Sequence, residues 1–493
     1  MKTFEQSLTE TEEIGFIQSI NNYLVYISGL PGAKINELVI SEKGHLGIIA
    51  SLLPNLCEAI IFNPQNLEHN LRVARTGELL KIPVGFGFLG RIVNSLGKPL
   101  DGAGPIVGEK EYREIDPPPV AGEMLKRSRI RQALETGVMA VDLLVPLGCG
   151  QRELIIGDQK VGKTSFLLQT IVSQVRKGAL CIYCSIGKKR SDQKSVVDYL
   201  SQMRVLPKVV VLAAGSSDPT PMVYLTIFSA FTLAEYFRDS GREVLIILDD
   251  LSNHAKFYRE IALLSKNPPG RQSYPGDIFY LHSHLLERAG NFGTGNGKTV
   301  AITALPVVDT LEGDLTGYIQ TNSMAATDGH IFFDLSEFKK GRRPAVNFAL
   351  SVSRVGNQTL SHLELDLSGK IRDKLVAFRK AAELGHFGLE LTQKTKQDMQ
   401  EGEKIETLLN QESTQVIAKP LQLVFFGLFF TDFWIDKNSA LVQIDKIKLI
   451  TAADKGMLTE LAEKIHQMTE PELFYQTIKN HHQKISEVLS YVR

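Results

Sequence analysis

The sequence runs to 493 residues, with 55 Lys and Arg against 55 Asp and Glu, and 43% of it is hydrophobic. That length asks for two to four domains at roughly 100–200 residues each. The even charge balance argues against a chain built to coat nucleic acid or an anionic membrane, and the composition argues against disorder.

The opening stretch MKTFEQSLTETEE carries several acids and no apolar core, unlike a signal or transit peptide. Short apolar segments follow: IGFIQSI, YLVYIS, ELVIS, HLGIIASL and CEAIIF, with Gly, Asn and Pro between them. Their spacing predicts a small all-β barrel or sandwich over residues 1–83. A turn-rich stretch comes next, through Gly97-Lys98-Pro99 and Pro117-Pro118-Pro119.

From about Arg152 apolar strand-like runs alternate with helix-length segments. RELIIG, ALCIYCSIG, KVVVLAAG, EVLIILDD and KTVAITALPVV read as strands, and AVNFALSVS reads as one more, ending before Arg354. TSFLLQTIVSQVRKG and PMVYLTIFSAFTLAEYFRDSG read as helices. Continuous apolar strands separated by helices predict a parallel sheet covered on both faces, within residues 84–360. After about Leu360 the β signal ends. Helical spacing near 370–384, 394–411, 420–436, 445–467 and 470–492 predicts a helical bundle over residues 361–493. The fold class is multi-domain α/β: an N-terminal β-barrel, a central P-loop parallel-sheet domain and a C-terminal helical bundle.

The longest apolar run, Leu421 to Phe430, contains Gln422 and is too short to span a bilayer, which needs about 20 residues. Four cysteines are too few for a disulfide framework. Cys181 and Cys184 form a C-x-x-C, but on a strand they point to opposite faces, so buried core positions are expected.

Gly157-Asp158-Gln159-Lys160-Val161-Gly162-Lys163-Thr164 fits G-x-x-x-x-G-K-[ST], preceded by a strand and followed by a helix that continues through Ser165. Such a loop closes backbone N–H groups around phosphate oxygens, and the helix N-terminus adds partial positive charge. Lys163 would reach the terminal phosphates of the nucleotide, β and γ in ATP and β in ADP, and the Thr164 hydroxyl would bind Mg²⁺. A P-loop also needs an acid at a neighbouring strand end to hold Mg²⁺ through water. Asp249, with Asp250 beside it, closes EVLIILDD and is the candidate.

Together with the motifs GQRELIIGD (150–158), DDLS (249–252), PPGRQSYPGDIFYLHSHLLERA (268–289), ALPVVDTLEGDLTGYIQTN (304–322) and LSVSRVG (350–356), these residues resemble the alpha subunits of F-type ATP synthases. The resemblance runs from about Gly15 into the C-terminal helices. It implies a β-barrel crown, a RecA-like nucleotide domain and a helical domain. It implies three alpha and three beta subunits alternating around a central rotor stalk, with membrane association only through partner subunits. The expected location is the cytoplasmic side of a bacterial membrane, or an organelle-encoded equivalent.

In related beta subunits a Glu in a Gly-Glu-Arg turn activates the attacking water, and alpha subunits carry Gln there. This sequence has Gly187-Lys188-Lys189, so the equivalent is Lys188. An ammonium has no acceptor and cannot take a proton from water. Two placements are open for Lys188: against phosphate oxygens, or turned to solvent or paired with Asp249. Gln159-Lys160-Val161 replaces the family's usual Arg-Gln-Thr.

The resemblance further implies that Arg354, in Val352-Ser353-Arg354-Val355-Gly356, is an arginine supplied in trans to the beta partner's site. Arg343-Pro344 resembles the family's nucleotide-contacting Arg-Pro. Gln411 aligns with one of two glutamines lining the adenine pocket, and Ser413 replaces the other. Only about a dozen residues precede the first strand, so the family's N-terminal stator-docking helix is expected to be missing or much shortened, which leaves peripheral-stalk attachment open. The segment His386 to Thr392 keeps one acid of the family's acidic loop near the rotor. Three machines remain in view: an ion-driven ATP synthase, a divergent rotary ATPase working mainly in hydrolysis, and a catalytic homohexamer. Lys188 argues against the last.

Overall fold

The structure, a computed structural model, describes residues 2–117, 123–295, 297–386 and 392–491. Pro118 and Pro119 and most of the His386–Thr392 segment lie outside the described residues. The protein divides into two units. One comprises Met1–Ser128, Gly178–Asp309 and Leu315–Thr327, and the other Arg129–Lys177, Thr310–Asp314 and Asp328–Arg493. The three-part division expected from sequence follows secondary-structure content, whereas spatial clustering divides the central residues between both units.

The first unit opens with a short helix, α1 (Phe4–Thr11). Thr3 caps it: its Oγ1 accepts from the Gln6 N–H, and Gln6 Oε1 accepts from the Thr3 N–H. Of the two expectations for the N-terminal helix, missing or much shortened, the stretch before the first strand carries a short one, of eight residues. Phe4 buries itself against Ile40 and Ala74. Six antiparallel strands follow: β1 (Gly15–Asn21), β2 (Leu24–Ser28), β3 (Glu37–Ser41), β4 (Leu46–Leu52), β5 (Cys57–Ile61) and β6 (Arg72–Leu79). They close into a barrel in the order β1-β2-β5-β4-β3-β6, sealed where β1 pairs with β6. Alternate residues Ile17, Val25, Ile27, Val39, Ile49 and Val73 fill the interior, as the period of two requires. Five of these strands are legible as apolar runs. β6 (RVARTGEL) is not, because Arg75 interrupts it and is neutralised by Glu13 at 3.0 Å and Glu37 at 3.4 Å.

The same unit holds a parallel sheet in which Val244–Asp249 lies between Leu180–Lys188 and Thr299–Asp309. Leu180–Lys188 pairs outward with Val209–Gly215, and that strand with Ile92–Val93. Every residue of Val209–Gly215 and Val244–Asp249 is buried, which is why these strands read as unbroken apolar runs. The helices Thr220–Asp239 and Leu251–Leu264 pack on this sheet. Cys181 and Cys184 are both buried free thiols.

In the second unit, Glu153–Gly157 runs parallel to Gly329–Phe333, which pairs antiparallel with Val352–Ser353. The helix Lys163–Arg176 follows the first of these strands. AVNFALSVS, read as a strand, is strand only at Val352–Ser353. Asn347 diverts it: its Oδ1 accepts from the N–H groups of Ala349 and Leu350, folding the backbone into a turn.

Seven helices complete this unit among the described residues: His362–His386, Gln393–Leu409, Lys419–Phe430, Ser439–Asp454, Thr459–His466, Pro471–Asn480 and His482–Tyr491. The expected helix 445–467 is two, parted near Gly456, which takes φ +76°. The expected helix 470–492 is likewise interrupted at His481. The expected 420–436 stops at Phe430, because Trp434 turns inward and donates Nε1–H to Asp445 at 2.8 Å.

Candidate functional site

The glycine-rich loop begins where the strand Glu153–Gly157 ends. Gly157 takes φ +154°, and a Cβ there would sit 2.2 Å from the Phe333 carbonyl oxygen on the adjacent strand, so the position admits no side chain. Gly162, at φ +99°, immediately precedes the helix. Lys163 is buried, and its ammonium donates to the carbonyl oxygens of Gly157 at 2.7 Å and Asp158 at 2.6 Å. Val161 is buried and braces the loop from within, Gln159, Lys160 and Thr164 are exposed, and Ser165 is half-buried. The first N–H groups of the helix that starts at Lys163 have no partner within it, as at any helix start. The loop can therefore offer an anion backbone donors and the ammonium of Lys163.

Asp158 anchors the loop. Its buried carboxylate accepts from Thr310 Oγ1 at 2.5 Å and from the Gly313 N–H at 2.9 Å, and the Thr310 N–H donates to the Gly157 carbonyl at 3.0 Å. Within the loop motif Asp158 stands at a variable position, so nothing in the motif marks this anchoring role.

The Arg343–Pro344 peptide is cis, and the Arg343 guanidinium lies 3.5 Å from the Phe338 ring centroid. Arg343 and Pro344, with Arg342, Phe348, Arg379 and Asn410, line a cavity of about 270 Å³. Gln411 is buried. Its Oε1 accepts from the Met139 N–H at 3.1 Å, its Nε2 donates to the carbonyls of Gly137 at 2.8 Å and Gln415 at 2.7 Å, and its N–H donates to the Arg343 carbonyl at 2.6 Å. The amide is occupied within the protein, so the base contact expected of it would require these bonds to open. Gln169, on the helix after the loop, donates to the carbonyls of Glu412 and Gln415. The unit thereby joins the Lys163 helix, the Gln411 segment and Arg343.

Arg354 follows the two-residue strand Val352–Ser353 and is exposed. Its N–H donates to the Asp328 carbonyl at 3.2 Å, while its guanidinium has no hydrogen-bond or ion-pair partner among the described residues. The backbone beneath it is fixed. Ser353 Oγ donates to the Pro146 carbonyl at 2.7 Å, and Gln151 Nε2 donates to Ser353 Oγ at 3.2 Å and to Glu153 Oε2 at 2.6 Å. Burial pushes the Glu153 carboxyl well up, the Asp328 charge adds to that, and Gln151 and Arg354 oppose it. Sequence reasoning passed over Gln151 and Glu153. The polar residues at the start of the run GQRELIIGD were the available signal.

Lys188, in the other unit, ends the strand Leu180–Lys188. The register shifts at Gly187, whose φ is +61° and whose Cβ would meet Phe257 Cε2 at 2.5 Å. Of the two placements left open by the sequence, the structure has the pairing: Lys188 Nζ lies 2.9 Å from Asp249 Oδ1 and 2.7 Å from Asp250 Oδ2. Burial works to lower the Lys188 pKa, but the two carboxylates outweigh it and hold the ammonium well above its ordinary range. Asp249 Oδ2 accepts from the Tyr183 hydroxyl at 2.5 Å, and Asp250 Oδ1 accepts from the Asn253 N–H at 2.6 Å. Burial raises the Asp250 carboxyl, with Lys188 opposing and Asp309 and Asp249 adding to the rise.

The Mg²⁺ role expected of Asp249 does not fit these groups. One carboxylate oxygen faces an ammonium and the other a hydroxyl donor, so a cation or its water would have to displace Lys188. Lys188 is correspondingly committed to aspartates rather than free for phosphate.

A parallel sheet with a G-x-x-x-x-G-K-T loop at a strand end defines a P-loop nucleotide-binding protein. The family model for the nucleotide-binding domain of the ATP synthase alpha/beta family matches residues 137–353, and the one for the C-terminal domain of ATP synthase alpha/beta chains matches residues 365–470. ATP synthase subunit alpha of Dictyoglomus thermophilum is 38% identical over 457 residues, covering 92% of this protein and 89% of that one. The subunit alpha of Caldanaerobacter subterraneus subsp. tengcongensis is 38% identical over 425 residues, covering 86% and 83%. The protein belongs to the ATP synthase alpha/beta family, and these relatives are its alpha subunits.

Proposed function

We propose that this protein is a non-catalytic, nucleotide-binding alpha subunit of a rotary F-type ATP synthase head. It binds ATP or ADP through Gly157 to Ser165, with Lys163 on the phosphates, Thr164 at the mouth of the loop, and Arg343-Pro344 and the Gln411 segment shaping the wall for the base. It supplies Arg354 to the site of an adjacent beta subunit. Three such subunits alternate with three beta subunits around a central rotor stalk, and the complex couples nucleotide turnover to ion translocation. Membrane association is peripheral and through partners; among the described residues no helix is long and apolar enough to cross a membrane.

The observation that carries the non-catalytic reading is the Lys188 ion pair. Resemblance to beta subunits puts the water-activating carboxylate at this position, and here an ammonium is pinned between Asp249 and Asp250. An ammonium offers three donors and no acceptor. Loss of a general base costs about 10²–10⁴-fold in rate. The exposed guanidinium of Arg354, without a hydrogen-bond or ion-pair partner among the described residues, supports its use by a neighbour. In a P-loop ring such an arginine stabilises charge on the transferring phosphoryl group.

Steady-state turnover of the isolated full-length protein tests this reading. We expect ATP to bind and no sustained hydrolysis. Sustained hydrolysis that disappears in Lys163→Ala would overturn it.

A further inference from the structure

Resting on the reading that Arg354 serves a neighbour's site, we infer that Glu153 is a positioning residue for Arg354, acting through Gln151 and Ser353. All four residues lie in the second unit. Glu153 pairs with Gly329 on the adjacent strand, and Gly329 pairs in turn with Ser353. The strand Gly329–Phe333 therefore stands between Glu153 and the strand that carries Arg354. A glycine there lets a side chain reach across. A Cβ at Gly329 would sit 2.7 Å from Glu153 Oε2 and 2.9 Å from Oε1, so the carboxyl occupies the space that Gly329 leaves open.

Gln151 closes the remaining gap. Its Oε1 accepts from the Gly148 N–H at 2.8 Å, which fixes the way its amide faces. Its Nε2 then spends one hydrogen on Glu153 Oε2 at 2.6 Å and the other on Ser353 Oγ at 3.2 Å. Ser353 Oγ passes its own hydrogen to the Pro146 carbonyl at 2.7 Å and accepts from the Gly356 N–H at 3.2 Å. The backbone on both sides of Arg354 is thereby tied down, while its guanidinium is left to reach outward.

Glu153 is fully buried, and its Oε1 has no hydrogen-bond partner among the described residues. A buried carboxyl with an unbonded oxygen costs stability, and an apolar residue in line with Leu154, Ile155 and Ile156 would cost less. Burial favours its uncharged form. What the network draws from Glu153 is thus an acceptor oxygen rather than a charge.

Steady-state kinetics of the assembled complex test this. Glu153→Leu removes the acceptor. Misplacing a reacting group by about 1 Å can cost about 10²-fold, so kcat should fall about 10–10²-fold. KM should not change, because the arginine acts on the transition state. Glu153→Gln keeps an oxygen for Gln151 and should stay within about threefold of the wild type. Added to Arg354→Ala, Glu153→Leu should bring no further loss, since both changes act through one group.

A Glu153→Leu complex within about threefold of the wild type overturns the inference. So does Glu153→Gln as slow as Glu153→Leu, or a further loss of about tenfold in the double variant. If Glu153→Leu does not assemble, Ser353→Ala cuts the same network at its half-buried end and decides by the same kcat, KM and double-variant outcomes. If Arg354→Ala itself leaves turnover unchanged, the trans-arginine reading falls and takes the inference with it. If Arg354→Ala is slow and Glu153→Leu is not, the inference alone falls.

Discussion

The ammonium of Lys163 lies 2.7 Å from the carbonyl oxygen of Gly157, the residue that opens the same loop. The loop is thus wrapped on its own lysine, whose ammonium is tied to the loop's backbone carbonyls. Lys163→Ala removes that charge together with two hydrogen bonds to the loop. At about 1.5–3 kcal/mol for each charge-assisted contact, ATP affinity should fall about 10²–10³-fold. Calorimetric titration reads this directly, and an unchanged dissociation constant would place the nucleotide elsewhere.

Gly157→Ala tests the close approach of the loop to its neighbouring strand. The added Cβ would lie 2.2 Å from the Phe333 carbonyl, in a backbone conformation at φ +154°. Strain and forced separation should cost about 1–3 kcal/mol, seen as a lower thermal midpoint. A midpoint equal to the wild type would mean that Gly329–Phe333 gives way freely.

Arg354→Ala separates a role in trans from a role in folding. The guanidinium has no partner among the described residues, so the stability of the free subunit should change by no more than about 0.5 kcal/mol. On the trans-arginine reading, turnover of the assembled complex should fall about 10³–10⁵-fold. Full turnover in the assembled variant would refute that reading, and a destabilised free subunit would assign Arg354 to the fold instead.

The histidine pair on the first unit makes stability depend on pH. His254 Nδ1 and His282 Nε2 are 3.0 Å apart, and His254 Nε2 donates to the Tyr224 carbonyl at 3.1 Å. Burial pushes His254 down from 6.5 to about 4, and burial with its histidine neighbour pushes His282 well down. The folded state keeps both neutral while the unfolded state protonates. Stability should therefore be lost as pH falls below about 6.5, by about 1.4 kcal/mol per pH unit for each histidine. Urea unfolding at pH 7, 6 and 5 measures this. The slope should be shallower in His282→Gln, and an identical slope would exclude the pair as its source.

Sequence legibility tracked the physics of each element. Val209–Gly215 and Val244–Asp249 announce themselves because a strand buried on both faces has no polar side to hide the signal. β6 does not, because Arg75 is tolerated inside it only through Glu13 and Glu37, which are distant in sequence. The strand expected through Ala345 to Ser353 failed on one side chain, Asn347, whose turn competes with pairing. In the loop, Gly157, Gly162 and Lys163 were legible from spacing alone. Asp158 was named only as a loop member, since its anchoring partners Thr310 and Gly313 come from a remote segment. Lys188 is legible as a change of charge, with pairing to Asp249 as one open placement; choosing that placement needs two strand ends brought side by side.

The pairing of β1 with β6 has a bearing on assembly. A sheet sealed on itself offers no free row of amides for another protein to zip onto. Neighbours packed against this module must grip it through side chains and turns, so such contacts can be retuned by surface substitution without rethreading any strand.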